Sequence, residues 1–228
     1  MITSLKDCAR WFNHLENDKR VALIALISGQ AIVPQGLTDG ELREFENILN
    51  TLAKHAADFE NAKSFAEALI THGFERTAAE TYAEVAVRMA KPYRDARIVK
   101  SLSIDKLKAG LDFVINKVLL YRDYRYIPIE RFLALCNVED KEQGLAILRF
   151  LKAQIAAVVA REKSPEQLRD TLVSEYGLTE EQANVIVDMT REHLSDLREA
   201  YLIQHITDIT EWARRQTSVV REQGNGSE

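Results

Sequence analysis

The sequence predicts an all-α protein, a multi-helix bundle of about nine to eleven helices. The first observation is the scarcity of helix-breaking residues, since 228 residues include only 9 Gly and 4 Pro. The second is that apolar residues recur at three- and four-residue spacings, which is the period of a helix buried on one face. The third is a set of capping boxes, Ser or Thr followed three residues later by Glu or Gln, which mark helix starts.

The clearest stretch is residues 164–202. Ser164 and Gln167 form a capping box around a proline that suits the first helical position. Gly177 fits the left-handed conformation that ends many helices. Thr179 begins a second box, and apolar spacing then indicates a longer helix that continues to Leu202.

Five helices are expected in the first half of the chain. They cover residues 4–15, 18–27, 38–58, a shorter stretch that ends at Gly73, and 75–89. The run VALIALI at residues 21–27 is apolar on all sides, so we expect it to be buried. Pro92 marks a boundary or a kink, because proline lacks the amide hydrogen and crowds the preceding turn.

The second half adds helices from Ser103 to about residue 118, at residues 128–136, and from Asn137 or Asp140 to about Arg161. The two helices of the 164–202 stretch follow, and apolar residues extend the last pattern, bent or broken, to about residue 219. Between these helices, residues 121–127 read YRDYRYI, an alternation compatible with an extended segment.

An internal repeat is suggested by the alignment of Gly73 with Gly177. The alignment pairs Phe74 with Leu178 and Tyr82 with Ile186. Either two similar helical units are fused, or any two amphipathic helix corners around a glycine align this well. The expected units are residues 1–100 and 101–221, followed by a disordered tail at residues 222–228.

Composition limits the class of protein. The formal net charge of −5 does not indicate a nucleic-acid-binding surface, so nucleic acid is not an expected partner. Cys8 and Cys136 cannot build a disulfide framework, which indicates a reducing compartment. The N-terminal residues lack the apolar core of a signal peptide, and no apolar run is long enough to span a bilayer. We therefore expect a cytoplasmic protein without a membrane span.

Motifs for chemistry do not stand out. The five histidines lie outside HExxH and lack a Glu three residues before them, and the phosphate-binding and serine-hydrolase glycine motifs are missing. Cys136 lies among Phe132, Leu133 and Leu135, where a buried thiol is expected rather than a nucleophile. The sequence thus assigns no catalytic, metal-binding or cofactor-binding residue, and it disfavours an enzyme.

Two clusters of arginine and aromatic residues are the candidate partner-binding sites, because both types are enriched where proteins bind each other. The first is YRDYRYIPIER, in which tyrosines and arginines interleave. The candidates are Tyr121, Arg122, Tyr124, Arg125, Tyr126 and Arg131 in the first cluster and Trp212, Arg214 and Arg215 in the second. The alternative for the first cluster is a linker packed on the bundle.

Residues 145–202 resemble the N-terminal helical domain of COMM-domain proteins, over about a quarter of the chain. That domain shares a long helix, S-x-E-x-L, a G-L corner and a Leu-rich end. The matching residues are Ser164, Glu166, Leu168, Gly177, Leu178, Glu181, Leu194 and Leu197. The resemblance implies a helical, adaptor-like bundle. Only about 26 residues follow Leu202, helical in pattern, so the family's β-rich C-terminal module, its dimer mode and its endosomal-trafficking role are not expected here.

Three functions remain open on the sequence. The first is a non-enzymatic interaction or scaffold protein that binds protein partners through helix surfaces, including a second copy of itself; it predicts an exposed apolar patch. The second is a helical-bundle enzyme or small-ligand-binding protein, which predicts an internal pocket with converging polar groups. The third is a nucleic-acid binder that uses residues 121–131.

Overall fold

The computed structural model describes residues 2–29, 36–120 and 129–224, with the side chains of residues 212, 213 and 215–224 outside that description. Within these ranges the protein is all-α, with twelve α-helices, one π-helical turn and no strand. The helices are α1 (Leu5–His14), α2 (Asn17–Ile27), α3 (Asp39–Ala56), α4 (Ala62–Thr71), α5 (Arg76–Met89), α6 (Lys91–Lys100), α7 (Ile104–Phe113), α8 (Ile129–Cys136), α9 (Lys141–Val159), α10 (Pro165–Ser174), α11 (Glu180–Glu192) and α12 (Leu194–Gly224). The π-helical turn, Val114–Leu119, follows α7 directly.

The chain divides into two compact units, Met1–Arg94 and Asp95–Glu228, and the division falls inside α6. The join was expected slightly later in the chain, near residue 101. In the last unit, α12 continues to Gly224 and thus includes the first three residues of the expected tail.

In the first unit, α5 packs against α3 and α4, and α1 packs on α3. The core centres on Tyr82, whose ring meets Phe12, Phe45 and Phe74 edge-on at centroid distances of 5.1 to 6.1 Å. Such edge-to-face pairs stabilise a core beyond the area they bury. The Tyr82 hydroxyl is also buried, and among the described residues it has no hydrogen-bond partner. Burial raises the pKa of Tyr82 well above its usual range.

In the second unit, α7 packs against α8 and α11, α8 against α9, and α10 against α11. Gly110 and Gly144 are buried where these helices approach closely. A Cβ added at Gly144 would collide with the Leu133 side chain, and one at Gly110 would lie 3.1 Å from the Cys136 sulfur. A side chain at position 144 would therefore displace Leu133, and one at position 110 would press on Cys136, where α7, α8 and α9 pack.

The predicted caps are confirmed. Thr38, Ser164 and Thr179 each accept from the backbone amide three residues on, and the Glu or Gln at that position reaches back to the cap. Gly177 adopts φ +70°, which only glycine reaches without strain, and Leu178 after it is buried. Of the two caps considered for α9, Asp140 is the one that accepts a hydrogen bond, from the Glu142 amide.

Gln182 joins three segments of the second unit. Its side-chain oxygen accepts from the Thr179 amide at 3.2 Å, and its side-chain nitrogen donates to the carbonyls of Lys100 and Leu102 at 3.0 Å each. The residue is only 4% exposed, so its polar atoms depend on these partners. One side chain thus caps α11 and ties its N-terminus to the loop between α6 and α7.

Two expectations are wrong. The apolar run at residues 21–27 is not buried all round: Leu23 is buried, but Val21 is exposed. The helix expected from Thr179 to Leu202 is two helices, because the chain turns at His193 with φ −99° and ψ 7°. Pro92 does lie at a helix boundary, since α5 ends at Met89 and α6 begins at Lys91, but α6 itself was not expected. Pro92 occupies the second position of α6, where the amide it lacks would have no helical partner.

The two helix corners aligned by the repeat are locally similar. Helices of ten residues, α4 and α10, each end at a left-handed glycine that a buried apolar residue follows. The longer helices before them differ in packing: α3 lies against α5, whereas α9 packs mainly on α8. Duplication of one ancestral unit stays a prediction.

Candidate interaction surface on the last helix

The last helix, α12, is long and is packed on its own unit only at its start. Its 31 residues span about 46 Å at a rise of about 1.5 Å per residue. Leu197 is 2% exposed and belongs to the core of the second unit, with Leu194 half-buried beside it. From Tyr201 onward, every described side chain of α12 is exposed except the half-buried Thr207.

Three apolar side chains form an exposed row on this helix, and we call Leu202, Ile206 and Ile209 the α12 stripe. They are 60%, 63% and 55% exposed. Their spacing of four and three residues places them within an arc of about 60° at about 100° per residue. Leu197 lies nine residues before Ile206, which is about 180° around the helix. The α12 stripe therefore points away from the core that Leu197 enters.

The threonine hydroxyls near the stripe are bonded within the helix. The hydroxyl of Thr210 donates to the Ile206 carbonyl at 2.7 Å, and that of Thr207 donates to the Ile203 carbonyl at 2.8 Å. Both hydroxyls are thus satisfied by the helix itself. Asp208 is the one formal charge of residues 200–210, and it lies on the opposite side of the helix, about 200° from Ile206.

The side of α12 that faces its own unit borders a cleft. The cleft has a volume of about 830 Å³ and lies between α12, α9 and the π-helical turn. Its lining from α12 is mixed: Leu197, Tyr201 and Ile203 are apolar or aromatic, whereas Gln204 and Asp208 are polar, and the Gln204 amide donates to Asp208 at 2.7 Å. The lining does not include the three residues of the α12 stripe, so the cleft leaves the stripe uncovered.

A surface helix of a globular protein normally buries its apolar side and exposes its polar side. Beyond Ala200, α12 exposes its apolar residues together with its polar ones. Exposed single apolar residues are common, whereas contiguous exposed apolar patches mark surfaces that contact other molecules. The arrangement therefore identifies the α12 stripe as the candidate functional surface of the chain.

The sequence-predicted binding residues are only partly described. Five of them lie outside the described residues: Tyr121, Arg122, Tyr124, Arg125 and Tyr126. Arg131 is exposed at the start of α8, on the other side from the buried Phe132 and Cys136. In α12, Arg214 is exposed, and the side chains of Trp212 and Arg215 lie outside the description. The extended segment expected at residues 121–127 likewise lies outside the described residues.

The sequence reasoning missed the α12 stripe because it placed Leu202 in one continuous apolar face that began in α11. A signal was present. Continuing the register of Leu197 and Tyr201 leads to Gln204 and Asp208, whereas Leu202, Ile206 and Ile209 form a second register on the opposite side. Two apolar registers on one helix indicate two different surfaces.

Groups that could carry chemistry are buried or scattered. Burial raises the pKa of the Cys8 thiol to about 12 and that of the Cys136 thiol to about 11. Both thiols are therefore protonated at neutral pH and behave as small apolar groups, as the sequence indicated for Cys136. In the described part of the chain, no cluster of His, Cys, Asp and Glu could hold a metal ion.

Across the same residues, every helix is too short or too polar to cross a membrane.

A second, smaller hollow of about 430 Å³ lies between α10 and α11. Its walls are mainly polar, and Arg169 and Asp170 within it form an ion pair at 3.0 Å. Both side chains are more than half exposed, so this hollow is a solvated surface rather than a closed site.

No protein-family model, curated protein or solved structure matches this chain. The resemblance of residues 145–202 to the helical domain of COMM-domain proteins therefore remains an expectation.

Proposed function

We propose that this protein is a non-enzymatic interaction protein that binds a protein partner through the α12 stripe. The observation that carries the proposal is the orientation of α12, whose exposed apolar row lies about 120° to 180° around the helix from Leu197, the residue that anchors it to its own core. A helix held in this way presents Leu202, Ile206 and Ile209 to the surroundings.

Burial of the α12 stripe would contribute a favourable free energy to docking. Fully burying an exposed Leu or Ile contributes about 1.5 to 3 kcal/mol. The three side chains of the stripe are already 37% to 45% covered, by subtraction from their exposures. Covering the remainder contributes about 1 to 2 kcal/mol for each residue, and a partner would add its own apolar side chains. Burial at the stripe would thus offset much of the cost of association.

The test is a quantitative affinity capture from cell extract with the wild-type chain and with Ile206→Glu. A glutamate in the middle of the stripe must be desolvated on docking, so we expect stripe-dependent partners to be lost. Leu135→Glu is the matched control, because Leu135 is also an exposed apolar residue of the second unit, 44% exposed on α8. An identical set of bound proteins for all three chains would contradict the proposal.

The cleft behind α12 favours a second candidate function, small-ligand binding. Its volume of about 830 Å³ lies in the range of ligand pockets, about 300 to 1,000 Å³. One wall is the π-helical turn Val114–Leu119, and π-helical turns are frequent at functional sites. Ala156→Trp would fill the cleft from α9, so a co-purifying ligand seen by native mass spectrometry should be lost in that variant and kept in Leu135→Glu.

Three further sequence-based expectations stand as proposals. The likeness to COMM-domain proteins supports an adaptor-like role, and cysteine usage supports a cytoplasmic location. The similar corners at Gly73 and Gly177 support an origin by duplication. Fluorescent tagging at the first unit would test the location, and an experimental structure would show whether the helices around the two corners superpose.

A further inference from the structure

We infer that the cleft between α12, α9 and the π-helical turn binds an amphipathic organic cation, a molecule with an apolar body and a positive charge. This inference rests on the second candidate function, since it names the class of ligand that the cleft takes, and it is independent of the α12 stripe. It is carried by the apolar walls of the cleft, by its excess of carboxylates and by the position of Tyr201.

Most of the cleft wall is apolar. The π-helical turn contributes Val118 and Leu119, α9 contributes Ala156 and Val159, and α12 contributes Leu197 and Ile203. Val159 and Leu197 are only 7% and 2% exposed and belong to the core of the second unit, so the floor of the cleft is continuous with that core. A volume of about 830 Å³ suits a drug-sized molecule, whose apolar surface would leave water on binding. The walls therefore favour a ligand with an apolar body.

The charged groups of the cleft are mainly acidic. Its lining includes three carboxylates, those of Asp196, Glu199 and Asp208, and one ammonium group, that of Lys152, which leaves a formal charge of −2. Asp196 lies in the first turn of α12, where the helix dipole favours a carboxylate. Glu199 and Asp208 lie beyond that turn, so the dipole does not account for them. A cationic ligand would offset this charge, whereas an anionic one would meet the three carboxylates.

A ligand can reach the two carboxylates that lie beyond the first turn. Glu199 and Asp208 are both exposed, and within the part of the chain that the structure describes neither forms an ion pair with Lys or Arg. The Gln204 amide donates to Asp208 at 2.7 Å, which holds that carboxylate in place without neutralising it. Both carboxylates can therefore pair with a cation that enters the cleft.

An aromatic ring lies on the same side of α12 as one of these carboxylates. Tyr201 lines the cleft, and its ring stacks on that of His205, with the centroids 6.0 Å apart and the planes inclined by 10°. Asp208 follows Tyr201 by seven residues, which is about two helical turns, so the two side chains share one side of the helix. A cation over the face of a tyrosine ring is attracted to it. Tyr201 and Asp208 thus supply two kinds of group that attract the same charge.

The test uses two ions of nearly the same shape and opposite charge, tetraphenylphosphonium and tetraphenylborate. Each ion is titrated into the full chain by isothermal titration calorimetry. Both ions present the same phenyl rings to the apolar walls, so the difference between their dissociation constants measures the charge preference of the cleft. We expect tetraphenylphosphonium to bind at least about tenfold more tightly than tetraphenylborate.

Three variants locate the binding. Ala156→Trp fills the cleft from α9, so it should abolish the binding of tetraphenylphosphonium. Glu199→Gln and Asp208→Asn each remove one exposed carboxylate, so each should raise the dissociation constant about threefold, and the double variant about tenfold, as expected for exposed ion pairs. Because both positions are exposed, the circular dichroism spectrum should be unchanged. Glu192→Gln is the matched control, since Glu192 is an exposed carboxylate of α11 that does not line the cleft, and it should bind like wild type.

The outcomes separate this inference from both candidate functions. Tetraphenylborate binding as tightly as tetraphenylphosphonium overturns the cation assignment, and its loss in Ala156→Trp would keep small-ligand binding in the cleft. Tetraphenylphosphonium binding that the Glu199→Gln Asp208→Asn double variant leaves unchanged overturns the inference. The same holds if tetraphenylphosphonium does not bind at about 1 mM. The proposal for the α12 stripe is tested separately by Ile206→Glu, which lies outside the cleft.

Discussion

Replacing Gln182 with alanine should destabilise the second unit far more than the loss of an ordinary helix cap. The side chain is 4% exposed and makes three hydrogen bonds, to the Thr179 amide and to the carbonyls of Lys100 and Leu102. A net hydrogen bond contributes about 0.5 to 1.5 kcal/mol, and a polar group left buried without a partner costs about 1 to 3 kcal/mol. Summed over these contacts, the free energy of unfolding should fall by about 3 to 5 kcal/mol.

The chain offers a matched control for this substitution. Gln167 occupies the same capping-box position in α10, where it accepts from the Ser164 amide at 2.8 Å, but it is exposed and contacts no distant carbonyl. Gln167→Ala should lower the free energy of unfolding by about 1 kcal/mol, which is typical of losing one hydrogen bond of an exposed capping box.

Urea unfolding followed by circular dichroism would measure both changes, with fluorescence of a probe placed in the second unit to assign the transition. A midpoint shift for Gln182→Ala no larger than that for Gln167→Ala would refute the reasoning. It would mean that the contacts to Lys100 and Leu102 contribute no net stability.

Three further predictions concern single side chains. Asp95→Ala should lower the free energy of unfolding by about 2 to 3 kcal/mol, measured by thermal unfolding. Asp95 is buried and accepts two hydrogen bonds from Arg149, of 3.2 and 3.3 Å. Because Arg149 is partly exposed, the loss should be smaller than for a fully buried ion pair. An unchanged melting temperature would contradict this. Tyr82→Phe should leave stability unchanged or raise it by up to about 1 kcal/mol, since it removes a buried hydroxyl that has no hydrogen-bond partner among the described residues. A clear loss of stability would contradict this, because it would mean that the hydroxyl makes a hydrogen bond. The Glu41 carboxylate accepts hydrogen bonds from Lys19 at 2.7 Å and from the Thr38 cap. These bonds lower the pKa of Glu41 from 4.5 to about 2. Because the pKa of Glu41 is lower in the folded state than in the unfolded state, its contribution to stability is present above pH 4.5 and is lost as the pH falls toward 2. Glu41→Gln should therefore flatten this part of the curve of unfolding free energy against pH.

The fold class and most helix boundaries could be predicted because their causes are local. The boxes at Thr38, Ser164 and Thr179 and the stop at Gly177 depend only on residues within one turn. By contrast, α6 was missed because Pro92 was interpreted as a boundary, although proline is tolerated in the first turn of a helix.

The candidate site was harder to predict because burial depends on partners that lie far away in sequence. The run at residues 21–27 is apolar on all sides, yet only Leu23 is buried. Gln182 was identified as a cap, but its bonds to residues 80 and 82 positions earlier carry no local signal. Likewise, spacing alone cannot say which of two apolar registers on α12 faces the core; in the structure it is the register of the buried Leu197.

The central claim, that the α12 stripe binds a protein partner, can be tested at the stripe itself by amide hydrogen exchange. The measurement compares residues 202–211 in the wild-type chain alone, in the wild-type chain with its captured partner, and in Ile206→Glu with that partner. We predict that the partner slows exchange in these residues of the wild-type chain, because docking stabilises a helix that is otherwise only marginally stable, and that Ile206→Glu shows no such slowing. Exchange in residues 202–211 that is equally fast with and without the partner would contradict the account.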